Sequence, residues 1–235
     1  MAALTISAGA WGAGQDTTLE AGTMAARLAA CTACHGEQGK AGPDAYYPRL
    51  AGKPATYLYN QLVHFRDGER TYQPMHLLLR TLSDDYLREI ARWFSEQRPA
   101  YDAPAVARVS PAVMQRGQKL ALEGDRAIGV PACVACHGQQ LMGAEPGVPG
   151  LLGIPRDYIA SQFGAWLTGM RNAKAPDCMK DIARRLTPED VAAVAAWLAA
   201  QPVPEGAGPA PERTRPLPLE CGSQPVARVT QEVQP

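Results

Sequence analysis

The chain has 235 residues, enough for two domains of about 90 residues each and a tail. Lys plus Arg and Asp plus Glu both number 23, so the formal charge is zero and neither a nucleic-acid face nor a strongly one-signed docking surface is implied. No apolar run reaches the roughly eighteen residues of a bilayer span, and aromatic residues at 6%, only three of them Phe, are thin for two ordinary cores.

Residues 1–17 lack a basic n-region, the first positive side chain being Arg27, and read as a flexible start or the remnant of a clipped signal peptide. A first domain is expected over 18–98. It opens with the alanine-rich stretch Leu19 to Ala30, where Met24 and Leu28 stand at helical spacing. Gly22 is either a close-packing position in that helix or an ordinary weak helix residue.

The helix leads into Cys31-Thr-Ala-Cys34-His35, the attachment pattern for c-type haem, in which both thiols become thioethers and the imidazole ligates the iron. Two residues between the cysteines let one helical turn reach both vinyl groups, and the next residue turns its ring to the metal. A loop rich in Gly and Pro follows from Gly36 to Gly52. A helix is then expected from Pro54, in its first turn, to Asp67, with Tyr57, Leu58, Gln61, Leu62 and Phe65 on one face and Gly68 ending it. The last helix of this half starts at Ser83, a capping hydroxyl followed by Asp84 and Asp85, and buries Leu87, Ile90, Ala91 and Phe94.

Residues 99–111, with Pro99, Pro104 and Pro111, read as a linker of limited flexibility, and a second domain is expected over 112–202. It contains Cys133-Val-Ala-Cys136-His137. A zinc site built from both cysteine pairs would leave both histidines unexplained, and no strand pattern supports a thioredoxin-like motif, so each copy predicts a covalently bound haem c. The rest of the half repeats the first: Pro48-x-Leu50-x-Gly52-x-Pro54 returns as Pro149-x-Leu151-x-Gly153-x-Pro155, Tyr57 and Gln61 as Tyr158 and Gln162, and Gly68-x-Arg70 as Gly169-x-Arg171, at one constant offset. Ser83, Leu87, Ile90, Ala91, Trp93 and Phe94 return as Thr187, Val191, Val194, Ala195, Trp197 and Leu198. Each domain is expected to wrap a macrocycle in place of a large side-chain cluster, and to fold poorly without it.

Met75 and Met179 lie the same distance ahead of Ser83 and Thr187, whereas Met170 falls opposite Glu69. A methionine in a loop is ordinarily gap-filling core, but the matched register assigns Met75 to the haem of His35 and Met179 to the haem of His137. The iron ligands are then His35, Met75, His137 and Met179, with thioethers at Cys31, Cys34, Cys133 and Cys136. His76 has no counterpart, Lys180 standing in its place, and it and His64 read as loop or surface histidines. Arg49, Arg70 and Arg171 are either partners of haem propionates or plain surface charges. Cys178 has three readings: inert thiol, disulfide to Cys221, or alternative thiolate ligand; the disulfide is favoured because haem c is assembled outside the bacterial cytoplasm. Residues 203–235 are expected to form an extended Pro-rich tail without its own core.

Over about residues 19–201 these features resemble the diheme cytochromes c of the cytochrome c4 type. The resemblance rests on both Cys-x-x-Cys-His motifs, Pro48-Arg-Leu-Ala-Gly52 with Tyr57 and Gln61, Gly68-x-Arg70, and the methionine ahead of the last helix. It implies an all-α protein of two tandem class I cytochrome c domains joined pseudosymmetrically, haems near their interface, and periplasmic electron delivery from dehydrogenases or to terminal oxidases. Redox proteins are the expected partners, with membrane association only peripheral and through a partner. The function is then a non-enzymatic electron carrier, free or as a subunit of a complex. A diheme enzyme of thiosulfate dehydrogenase or peroxidase type, using Cys178 or an open haem, is the competing class. A gas sensor would need an output domain for which the tail is too poor in apolar residues.

Overall fold

In the computed structural model, which describes residues 22–42, 44, 46–211 and 216–224, the run ahead of the first motif is a broken helix. The expected flexible start 1–17, the first residues of the helix from Leu19, and the tail beyond Gln224 lie outside the described residues. Helix α1 (Met24–Arg27) is capped by the Thr23 hydroxyl, and α2 (Ala29–His35) begins after a break at Leu28. Gly22 precedes α1 at φ 91°, so it serves a backbone turn and neither of the two helical roles expected for it.

Helix α3 (Ala55–Asp67) starts one residue later than expected, with Pro54 as its cap, and Gly68 closes it in the left-handed region. Helix α4 (Gln73–Leu79) has Pro74 in its first turn, and α5 (Asp84–Glu96) is capped by Ser83, whose Oγ accepts from the Tyr86 amide. Leu87, Ile90, Ala91 and Phe94 are buried together against Leu28, Leu58 and Leu79. Each large side chain removed from water there contributes about 1.5–3 kcal/mol.

The second half opens with a helix that the sequence reading missed, α6 (Pro111–Leu122), capped by Ser110 with Pro111 in its first turn. Two short antiparallel ladders follow, β1 (Gly124–Asp125) with β2 (Val130–Pro131), and β3 (Gly143–Ala144) with β4 (Val148–Pro149). Helix α7 (Val134–His137) lies between them. The remaining helices are α8 (Arg156–Leu167), α9 (Cys178–Arg185) and α10 (Pro188–Ala199), the last with a full capping box between Thr187 and Asp190. Their core gathers Leu120, Val130, Ile159, Val194, Trp197 and Leu198.

Helices α6 and α10 meet at Gly117, where an added Cβ would lie 2.2 Å from the Ala193 carbonyl oxygen and 2.7 Å from the Trp197 Cβ. Arg116, on the same turn, bonds Asp190 and Asp125 at 2.7 Å each.

The segment 99–110 carries no helix or strand and is tied to both halves. Arg49 donates to the carbonyls of Pro99 and Ala100 and lies over the Tyr101 ring, while the Ala105 amide donates to Ala199. The tail differs from its expectation. Ala210 pairs with Gly143 and Glu145 through backbone bonds, and 216–224 folds back over the second half, so these residues form a strap, not an extended end.

Candidate functional site

Helical periodicity places Cys31 and Cys34 on one face of α2, one turn apart, with His35 buried at its end. In the second half Cys133 stands at the start of α7 in helical backbone, and Cys136 and buried His137 follow on the helix. Both motifs then turn sharply at a glycine. Gly36 and Gly138 have φ 73° and 83°, and a Cβ there would lie 2.1 Å from the Ala41 carbonyl oxygen and 2.6 Å from that of Gly143.

The turn brings the repeated Pro-x-Leu-x-Gly segments against the imidazoles. His35 Nδ1 donates to the Pro48 carbonyl at 2.9 Å, and His137 Nδ1 donates to the Pro149 carbonyl at 2.7 Å. A carbonyl can only accept, so each proton sits on Nδ1 and the ring lone pair on Nε2, the tautomer and orientation that a metal-ligating histidine needs. Burial pushes the His35 pKa down, which keeps the ring neutral. Burial likewise raises Cys31, and takes Cys133 up to about 12. The sequence displayed both prolines as part of the repeat without revealing that their carbonyls meet the histidines.

Both methionines lie on helices, Met75 in α4 and Met179 in α9, and not in loops as expected. One cavity of about 1060 Å³ takes in Cys31, Cys34, His35 and Met75 from one side and Cys133, Cys136, His137 and Met179 from the other. All eight residues singled out by sequence therefore face a shared space, at the upper limit of single-ligand pockets. Met170, half exposed, also reaches the cavity, and its carbonyl accepts from the Thr71 amide.

Cys178 is bonded to Cys221, with Cα atoms 5.0 Å apart. Its sulfur is thereby withdrawn from service as a thiolate ligand. His76 is exposed and donates Nδ1 to the Phe65 carbonyl; His64 lines the cavity, where burial lowers its pKa.

The arginines are neither plain surface charges nor equivalent. Arg49 is buried under Tyr101 and donates to the carbonyls of Ala51, Pro99 and Ala100. Arg70 and Arg171 cross between the halves. Arg70 donates to Gln61 of its own half at 2.9 Å and to Tyr158 and Gln162 of the other at 3.0 and 2.6 Å. Arg171 mirrors it, donating to Gln162 at 2.8 Å, Tyr57 at 3.2 Å and Gln61 at 3.4 Å. Backbone bonds from Thr71 to Met170 and from Asn172 to Glu69 complete a pseudo-two-fold seam.

Lys53, missed by the sequence reading, donates to the Gly150 carbonyl at 3.5 Å, and its pKa is lowered by burial. Burial also lowers Arg171, with Arg70 adding repulsion. Among the described residues no carboxylate pairs with Lys53, Arg70 or Arg171, yet all three line the cavity. Cations on the cavity wall without carboxylates, Arg171 buried and Lys53 and Arg70 half-buried, fit an anionic group in that space, and the paired thiols and fixed imidazoles fit a porphyrin iron. The donor set therefore suits a haem with its propionates at the seam.

The sequence matches two family models, that described as cytochrome C oxidase, cbb3-type, subunit III over residues 18–94 and that described as cytochrome c over residues 114–201. It is 40% identical over 175 residues to a thiosulfate dehydrogenase electron acceptor of Thiomonas intermedia (strain K12), covering 74% of this chain and 80% of that one. It is 35% identical to a cytochrome c4 of Pseudomonas aeruginosa, covering 74% of this chain and 84% of that one. The crystal structure of reduced recombinant cytochrome c4 from Pseudomonas stutzeri superposes with a TM-score of 0.65 at 30% identity, over 74% of this chain and 95% of that one.

Proposed function

Since the chain belongs to the cytochrome c4 family of diheme cytochromes c, an all-α family of electron carriers with two covalently bound haem c groups, we propose that it works in the periplasm between a dehydrogenase or quinol-oxidising donor and an acceptor such as a terminal oxidase. One relative is named as an electron acceptor of thiosulfate dehydrogenase, which makes a sulfur-compound dehydrogenase the first donor to try. No helix among the described residues is long and apolar enough to cross a membrane, and the membrane association proposed is peripheral, through a partner.

The proposed division is a first cytochrome domain over 18–98, a linker over 99–111 and a second domain over 112–202. In the first domain, Cys31 and Cys34 form the thioethers while His35 and Met75 ligate the iron. In the second, Cys133 and Cys136 form them while His137 and Met179 ligate. When bound, each haem supplies a one-electron iron couple. The protein's part is to set and shield that couple. A neutral thioether favours ferrous iron and raises the potential, and the Pro48 and Pro149 carbonyls hold the imidazoles in register. Lys53, Arg70 and Arg171 supply positive charge for propionates at the seam.

The observation that carries this reading is the facing of both histidines and both methionines into one cavity. The disulfide at Cys178 speaks against the enzymatic alternative that needed its thiolate. An optical redox titration of the holoprotein tests it. Two high-potential one-electron steps are expected, each with a sulfur-to-iron charge-transfer band. Met75→Ala and Met179→Ala should each abolish one band and lower one potential on the order of 0.1 V or more. A native step without that band overturns the ligand set.

A further inference from the structure

The two methionine helices are held by different means. In the first half, α4 buries Leu79, one turn beyond Met75, in its own core. The residue one turn beyond Met179 in α9 is Ala183, equally buried but shorter by three carbons, and it is the one fully buried side chain of that helix. Helix α9 adds the partly buried Ile182 to that contact and has no fully buried side chain of leucine size.

The strap is fastened at the start of α9, which Asp177 also caps. Cys178, immediately before Met179, is bonded to Cys221, and the next strap residue, Gly222, donates its amide to the Pro176 carbonyl at 2.9 Å. Gly222 is pressed so close that a Cβ would lie 2.0 Å from the Ala175 carbonyl oxygen. Gln224 then reaches across to the Gly147 carbonyl at 3.0 Å, and Leu217 and Leu219 line the shared cavity. In the first half the start of α4 has no side-chain cap and no cysteine, and Leu77 and Leu78 are exposed.

We propose that Cys178 and Cys221 are positioning residues for the second haem: their bond fastens the strap as a wall of that crevice and holds Met179 on the iron. Among the described residues the first half has no such strap or disulfide. The proposal rests on the reading of Met179 as ligand.

The test uses the full-chain holoprotein carrying Cys178→Ser with Cys221→Ser, its two sulfur-to-iron bands having been assigned with Met75→Ala and Met179→Ala. Expected is a weakening of the Met179 band, a fall in that haem's potential alone, and imidazole binding at that haem roughly tenfold faster or more, as local opening replaces a closed crevice. The Met75 band and potential should not move. If the double variant fails to assemble, a phosphine reductant and iodoacetamide open the bond in the mature protein, and ferricyanide then restores ferric haem before the same readings. An unchanged Met179 band, potential and imidazole rate after the bond is opened overturn the positioning role while leaving the ligand standing. A native spectrum that Met179→Ala does not alter removes the ligand reading and this proposal with it.

Discussion

The two halves place the same residue types in the same order around the cavity and stabilise them by different packing. The first half closes α3, α4 and α5 on Phe94, Leu87 and Leu79 and leaves Leu77 and Leu78 exposed beside Met75. The second relies on the contact of α6 with α10, on two small ladders, and on a strap fastened at Cys178. Duplicated chemistry tolerates this divergence because a haem site needs four donors in place, while any packing that excludes water and fixes those donors will serve. The second half nevertheless depends more on distant parts of its own chain, and perturbing matched positions exposes that dependence.

The largest effect is expected from losing a macrocycle. Cys133→Ala with Cys136→Ala should leave one haem attached, and calorimetry should show the second half without a cooperative transition while the first retains its own. The matching pair Cys31→Ala with Cys34→Ala should reverse the assignment. Two sharp transitions in either variant would show that the side-chain cores suffice alone.

Glycine gives the next contrast. Gly117→Ala drives a methyl group into the Ala193 carbonyl and Trp197, and should cost about 2–3 kcal/mol in denaturant unfolding of the second half. Gly22→Ala meets nothing within 4 Å, so only the positive φ opposes it and about 1 kcal/mol is expected. Equal losses would mean that α6 can slide away from α10 without consequence.

Those two glycines also mark where sequence reasoning reaches and where it stops. The repeat made the second motif, the matched methionines, and the caps at Ser83 and Thr187 readable, because each depends on neighbours a few residues away. The buried stripe of α5 was readable from its period alone. Gly117 gave no such signal, since its reason for being glycine is Ala193, remote in sequence. Pro48 and Pro149 act through carbonyls, which every residue possesses, so their contact with the imidazoles left no mark on residue type. The strap is held by backbone bonds at Ala210 and Gly222 and has no hydrophobic period, so composition alone made it look like an extended tail. Only Cys221 betrayed it. Arg70 and Arg171 were visible as a repeated pair, but their crossing to Tyr158 and Tyr57 needs the two halves in place.

The smallest contrast is electrostatic. In the second half Asp190 is buried and bonded to Arg116, which holds its carboxyl below the usual range, with the Thr187 amide assisting. In the first half Arg66 lowers Asp84 through a similar bond, but that carboxylate is exposed and open to screening by salt. A depressed folded pKa stabilises the fold fully above the unfolded value of about 4, and the gain is lost as pH falls through the lower folded value. Acid should therefore weaken the second half first, below about pH 4, if Asp190 governs the difference. Asp190→Asn keeps a side chain of the same shape, removes the charge, and should cost about 1–2 kcal/mol at pH 7 while flattening the acid limb of the second transition. Asp84→Asn should leave the first transition's acid limb nearly as it was in 0.5 M salt, a concentration on the order of that which shortens the screening length to a few ångströms. Acid limbs that move alike in both variants would show that α10 does not depend on Arg116 for its hold on α6.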